Sequence, residues 1–146
     1  MSVQVDVELN EAEIRRLMSA EGDVGRAVRK VADRTVSYAR SAAPVDQGTL
    51  RGSIHAEVSY SDRQVRAVVS ADADYALYVH EGTGVYGPRG RPIRPKRAQF
   101  LVFPSRRGGG RGGLVFAREV QGQRPNPFLL EALRRASPWP VSGGVR

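Results

Sequence analysis

The chain has 146 residues, of which 40% are hydrophobic and 26% charged, with a formal net charge of +8 at pH 7. This length and composition are typical of one globular domain and argue against a disordered chain. The sequence has no cysteine and two histidines, which excludes disulfides, thiol nucleophiles and thiolate metal sites. It also has no long apolar run and no secretory signal pattern. We therefore predict a protein without cofactors, made in the cytoplasm, with no membrane partner.

The first predicted elements are a strand and a short helix. Over residues 3–9, valine and leucine alternate with polar and acidic residues, which is the period of a half-buried strand. Asn10 then stands where a helix N-cap is expected, with Glu13 three residues later as in a capping box. Gly22 ends this helix.

The clearest predicted element is a helix from Asp23 to Ala42. Because many residues of its apolar stripe are small, we expect a sheet to pack closely against it. Pro44 ends the helix, since the residue before a proline is pushed out of the helical region. The stripe recurs at steps of three and four residues and consists of Val24, Ala27, Val28, Val31, Thr35, Tyr38, Ala39 and Ala42.

Two hairpins are predicted in the second half of the chain. Residues 54–60 and 65–69 alternate between apolar and polar residues on either side of a short polar connection. Residues 99–103 and 114–120 are predicted as strands around a flexible glycine-rich tip. Between the two hairpins, residues 75–80 predict a short helix or turn.

The last predicted element is a helix from Phe128 to Ala136, with Pro127 suited to its first turn. We expect Phe128, Leu129, Ala132 and Leu133 to dock on the core. The predicted fold is α+β: one antiparallel sheet packed by the long helix and the C-terminal helix, with extended Arg/Gly-rich loops. We predict a single domain over residues 1–136 and a loose tail over residues 137–146, in which Trp139 contacts a neighbour.

The excess positive charge is confined to one part of the sequence. Between Gly82 and Ala117 there is no Asp or Glu, whereas the rest of the chain has as many acidic as basic residues. This asymmetry predicts loops that face a polyanion or an acidic partner. The basic residues of these loops are Arg89, Arg91, Arg94, Lys96, Arg97, Arg106, Arg107 and Arg111.

Three short segments carry motifs. Residues 42–54 are Ala-Ala-Pro-Val-Asp-Gln-Gly-Thr-Leu-Arg-Gly-Ser-Ile, residues 75–83 are Tyr-Ala-Leu-Tyr-Val-His-Glu-Gly-Thr, and residues 125–129 are Pro-Asn-Pro-Phe-Leu. In this order and spacing they resemble the head–tail joining family of long-tailed bacteriophages, whose members are called neck, head–tail connector or tail-completion proteins. Three details depart from the family pattern: Gln47-Gly48-Thr49 stands where Thr-Gly-x is usual, the acidic residue of the second motif is shifted to Glu81, and the Arg/Gly-rich loops are longer and more basic.

The resemblance implies a non-enzymatic structural virion protein at the head–tail junction. It implies a homo-oligomeric ring, a hexamer by analogy with tail symmetry, that contacts head-closure or connector proteins and the tail terminator or tail tube. Two alternatives stay open: a tail terminator ring that caps the tail tube, and a small non-specific nucleic-acid-binding protein. The motif residues implied in contacts within or between rings are Pro44, Asp46, Gly48, Leu50, Arg51, Tyr75, Tyr78, Glu81, Gly82, Thr83, Pro127 and Phe128.

The basic loops allow three interpretations: contact with phosphates of the passing genome, contact with an acidic surface of an adjacent ring, or simple solvation. We expect them to gain order by crossing onto neighbours. Asp46, His80 and Glu81 could form an acid–base set, but phosphodiester hydrolysis generally needs clustered carboxylates that bind metal ions. The glycine run at residues 108–113 lacks the ending of a phosphate-binding loop. We therefore predict no catalytic, cofactor-binding or metal site.

Overall fold

The computed structural model describes residue 4 and residues 7–44, 48–105 and 113–142. The chain divides into two compact units, one of Met1–Ala73 with Phe128–Arg146 and one of Asp74–Pro127. The predicted α+β class is confirmed, although the strands form two separate two-stranded sheets instead of one. In chain order the elements are α1 (Glu11–Met18), α2 (Asp23–Ala42), α3 (Thr49–Ser53), β1 (Ile54–Tyr60), β2 (Val65–Ala71), α4 (Ala76–Glu81), a 3-10 turn (Gly84–Tyr86), β3 (Leu101–Pro104), β4 (Leu114–Ala117) and α5 (Phe128–Ala136).

The first unit is organised around α2, which has the predicted bounds and packs against β1, β2 and α5. The fully buried positions of α2 are Gly25, Ala32, Thr35 and Ala39. Thr35 and Ala39 belong to the predicted stripe, whereas Ala42, also predicted to lie on it, is exposed. The buried line follows the seven-residue step from Gly25 through Ala32 to Ala39, because seven residues make almost two helical turns.

Two close contacts explain residue choices in this core. A Cβ atom on Gly25 would overlap the Ser19 carbonyl oxygen and would lie 3.2 Å from the Tyr60 ring. Thr35 donates its hydroxyl to the Val31 carbonyl at 2.8 Å, so its polar group is satisfied inside the core. Leu50, Ile54 and Phe128 are the largest apolar side chains that are fully buried.

The predicted hairpin of β1 and β2 is confirmed. Its strands pair antiparallel from Ile54 with Ala71 to Tyr60 with Val65. The end of α2 is tied to the start of β1 because the Arg40 guanidinium donates to the Ile54 carbonyl at 2.8 Å. Arg51 stays exposed and donates in turn to the Arg40 carbonyl at 2.9 Å.

The strand predicted over residues 3–9 is wrong for its described residues. Gln4, Val7 and Leu9 belong to no strand, and Val3, Val5 and Asp6 lie outside the described residues. A strand needs a partner for its backbone groups, and none of the described strands pairs with this segment. The following helix is confirmed: the Asn10 side chain accepts from the backbone N–H groups of Ala12 at 3.1 Å and Glu13 at 3.2 Å.

The terminal helix α5 has the predicted bounds. Phe128 and Ala132 are buried as expected, whereas Leu129 is half-buried and Leu133 is exposed. Trp139 is exposed as well. Within the described ranges, no helix has both the length and the apolar character needed to cross a membrane.

The second unit contains the other predicted hairpin. Strands β3 and β4 pair from Leu101 with Ala117 to Pro104 with Leu114, so both are shorter than predicted. Beyond the end of β4, Val120 forms an isolated bridge with Ile93. The predicted glycine-rich tip falls on residues 106–112, which lie outside the described residues.

Candidate assembly surface

Helix α4 carries the second motif and separates its residues into two sets. Ala76, Val79 and His80 are buried. Leu77 and Tyr78 are 54% and 61% exposed. Because residues three and four positions apart share a helix face, the motif places Ala76, Val79 and His80 on the inward face and leaves a leucine and a tyrosine exposed.

After α4 the chain leaves and returns through two neighbouring stretches, residues 83–85 and 121–123, which backbone hydrogen bonds join. The segment between these stretches carries the predicted basic residues. Thr83 N–H donates to the Gln123 carbonyl, and Val85 N–H donates to the Gln121 carbonyl, both at 2.8 Å. Gly84 and Gly122 both have positive φ, and a Cβ on either one would overlap backbone atoms of the opposite segment. The close approach of the two segments therefore requires glycine at both positions.

Helix α4 and the segment after it together form an open groove of about 590 Å³, which we call the α4 groove. Arg94 is paired with Glu119, its Nη2 lying 2.7 Å from Oε2. No described carboxylate lies within ion-pair distance of Arg89, Arg91 or Lys96, so these three cations are available to a ligand. The lining of the groove consists of Leu77, Tyr78, Glu81, Gly82, Thr83, Gly84, Gly87, Pro88, Arg89, Arg91, Pro92, Ile93, Arg94 and Lys96.

The β3–β4 hairpin exposes a wholly apolar face. Directly paired residues share a face of a sheet, and the register places Val102 opposite Phe116 and Pro104 opposite Leu114. All four are exposed, Leu114 and Phe116 at 63% each. We call this set the hairpin face. A two-stranded hairpin is at best marginally stable alone in water, and contiguous apolar patches of this kind mark interaction sites.

A second basic surface lies on α2, on the side that the helical spacing predicts to be polar. Its residues line a shallow depression together with Asp33 and Ser37. Arg26 forms an ion pair with Asp23, with 2.6 Å between Nη2 and Oδ1. The sequence assigned no partner to this side of the helix, because acidic residues elsewhere in the chain balance its charge. Its basic residues are Arg26, Arg29, Lys30 and Arg34.

The first motif lies in the first unit, with its residues in different environments. Pro44 is exposed after α2, and Gly48 takes positive φ (+80°) just before α3. Leu50 is buried in the core, as is Phe128 of the third motif, so the structure gives these two a packing role. Asp46 lies outside the described residues.

The predicted residues of the second unit are brought together more closely. Tyr78, Glu81, Gly82 and Thr83 line the α4 groove, while Tyr75 precedes α4 with its side chain exposed and Pro127 is half-buried before α5. Four of the predicted basic residues line the same groove, Arg97 is exposed outside its lining, and Arg106, Arg107 and Arg111 lie outside the described residues. Within the described ranges, no three His, Asp or Glu side chains form a potential metal site.

Residues 12–82 match the model of the HK97-gp10-like family, described as "Bacteriophage HK97-gp10, putative tail-component". The match begins in α1 and ends at Gly82, directly after α4. It contains the whole first motif and all but the last residue of the second. No curated protein and no solved structure matches the chain significantly. The predicted recognition is confirmed: just under half of the chain is similar to a family model that is described as a phage tail component.

Proposed function

We propose that the protein is a non-enzymatic virion component that forms a closed homo-oligomeric ring at the head–tail junction. In this role it joins the head to the tail and surrounds the path of the DNA. The observation that carries the proposal is the hairpin face, in a chain that is similar to a family of phage tail components. Four adjacent apolar side chains without cover in the monomer gain free energy when a partner removes them from water, at about 25 cal/mol per Å².

A ring requires a heterologous interface, in which one patch of each subunit contacts a different patch of the next. The second unit offers two patches of different chemistry, the apolar hairpin face and the basic α4 groove. The two patches are not complementary to each other, so each would contact a different surface of the next subunit. Contacts of this kind can repeat around a ring, whereas a two-fold dimer pairs identical patches. A hexamer would match the symmetry of the tail.

The two basic surfaces suit different partners. The α4 groove combines cations with exposed leucine, tyrosine and isoleucine, so an acidic protein segment would satisfy its lining better than a nucleic acid backbone. The cations of α2 have no large apolar neighbour in their depression, and that composition suits phosphate contacts. The surface on α2 therefore supports the second candidate function, non-specific binding of duplex DNA.

Localisation in intact virions tests the proposal directly. Cryo-electron microscopy of the neck should show a ring of this protein between the portal and the tail tube. A ring at the end of the tail tube would instead support the tail terminator, and absence from the particle would refute the structural role. Duplex DNA binding by the purified chain that weakens steeply with salt, and is lost in Arg29→Glu/Lys30→Glu, would support the second candidate.

A further inference from the structure

The first residues of the chain have the composition of an amphipathic strand that lacks a partner. Residues 3–9 alternate between Val or Leu and Gln, Asp or Glu, and the first 14 residues contain four acidic and no basic residues. Val7 and Leu9 are 77% and 72% exposed and belong to no strand. In an extended conformation this alternation would give one apolar and one acidic side, and the described apolar side chains, Val7 and Leu9, are exposed.

The α4 groove has the complementary chemistry. It presents exposed Leu77, Tyr78 and Ile93, together with the cations of Arg89, Arg91 and Lys96, for which no described carboxylate serves as a partner. Few other ligands satisfy both properties. A nucleic acid backbone would pair with the cations but would leave the apolar residues in water, and a purely apolar ligand would leave the cations unpaired.

We propose that residues 3–9 of one copy bind in extended form in the α4 groove of a second copy. Val7 and Leu9 contact Leu77, Tyr78 and Ile93, while Asp6 and Glu8 pair with the groove cations. The proposal rests on the proposed function, because it takes the second copy to be the neighbour in the ring. Each copy then donates one segment and accepts one, which is the heterologous arrangement that a closed ring needs.

Peptide binding tests the contact. The receptor is the full chain with Val7→Ser and Leu9→Ser, exposed positions whose replacement leaves the fold intact and empties the groove of its own segment. A fluorescent peptide of residues 1–10 should bind it saturably by anisotropy. Arg91→Glu/Lys96→Glu in the receptor should weaken binding by about tenfold or more, whereas Arg29→Glu/Lys30→Glu on α2, with the same charge change, should have little effect.

Two matched peptides separate specific docking from simple charge attraction. The peptide with Val7→Ser and Leu9→Ser keeps its charge and should lose about tenfold in affinity. The peptide with Asp6→Lys and Glu8→Lys should bind the Arg91→Glu/Lys96→Glu receptor better than the original receptor. No saturable binding of the unmodified peptide, or equal binding by the two charge-reversed receptors, would overturn the proposal.

Cysteine pairs show whether the segment crosses between copies, since the chain has no cysteine of its own. Copies with Val7→Cys mixed with copies with Leu77→Cys should form disulfide-linked dimers, whereas a mixture of Val7→Cys with Ser37→Cys on α2 should not. A chain that carries both Val7→Cys and Leu77→Cys and closes only within itself would overturn the exchange between copies. If the peptide fails to bind but virions still contain the ring, the segment proposal fails alone; if the peptide binds but virions lack the protein, the proposed function fails.

Discussion

The two units of the chain differ in how much apolar surface they bury for themselves. The first unit encloses Leu50, Ile54 and Phe128 completely. Among the described residues of the second unit, Ala76 and Val79 are the only buried hydrophobic ones. This unit is the shorter of the two, yet ten of its large hydrophobic side chains are exposed: Tyr75, Leu77, Tyr78, Tyr86, Ile93, Phe100, Val102, Phe103, Leu114 and Phe116. The comparison indicates that the first unit has the larger apolar core, whereas the second leaves more of its large apolar side chains exposed to solvent.

The largest expected effect is in the core of the first unit. Phe128→Ala should lower the free energy of unfolding by about 3–5 kcal/mol, because it leaves a cavity where a fully buried ring stood. Urea unfolding of the purified chain measures the loss. Leu133→Ala, on an exposed position of the same helix, is the control and should cost much less. Equal losses for the two variants would contradict the burial of Phe128 in the core of the first unit.

The second effect is a loss of stability at Gly25, where the backbone of Ser19 lies close to the helix. Gly25→Ala should destabilise the chain by about 1–3 kcal/mol, because the added methyl group overlaps the Ser19 carbonyl oxygen. Gly52→Ala is the matched control, since a Cβ there meets no atom within 4 Å, and it should be neutral or slightly stabilising. The midpoints of thermal unfolding of the two variants measure the difference. If Gly25→Ala is as stable as the original chain, the backbone at Ser19 can move away from α2 at little cost.

The third effect should appear in assembly and not in stability. Phe116→Ser with Leu114→Ser should weaken self-association by about tenfold or more, because it removes apolar area from the hairpin face. The unfolding free energy should change by less than about 0.5 kcal/mol, as is usual for exposed positions. Mass photometry over a concentration series measures the association. Val68→Ser, an exposed apolar position on β2, should leave the association unchanged, and a loss of stability without a loss of association would refute the assignment.

The smallest expected effect is at a surface contact between α5 and α2 in the first unit. The Arg135 guanidinium lies 4.4 Å from the centre of the Tyr38 ring, which joins α5 to α2 at the surface. Arg135→Gln should cost about 0.5–1 kcal/mol, and Tyr38→Leu should remove the same contribution. Arg134→Gln, which removes the same charge from the same last turn of α5, should cost less. A double-mutant cycle without coupling between positions 38 and 135 would refute the contact.

The elements that could be predicted from the sequence are those whose signals are local. Gly22 and Pro44 mark both ends of α2, and the alternation around a short polar connection defines the β1–β2 hairpin. The prediction of a strand over residues 3–9 was wrong for its described residues. Alternation of apolar and polar residues shows which side of a strand would be apolar, but not whether another strand pairs with it. The division into two sheets was missed for the same reason, since pairing between distant segments leaves no periodic signal.

The candidate site was predicted in part. The run of sequence without acidic residues identified Arg89, Arg91, Arg94 and Lys96, and four of the motif residues line the same groove. Leu77 lies in the second motif and lines the groove, but it was not predicted as a member. The basic side of α2 follows from the helical spacing, but no function was predicted for it from the sequence, because its charge is balanced by acidic residues elsewhere in the chain.

The close approach of Gly84 and Gly122 bears on which parts of this chain can change in sequence. The base of the segment is held by main-chain hydrogen bonds, which do not depend on the side chains carried further out. The family match ends two residues before this closure. Changes of sequence between the two glycines should therefore leave this closure in place, so that this part of the chain can vary while the residues that match the family model are kept.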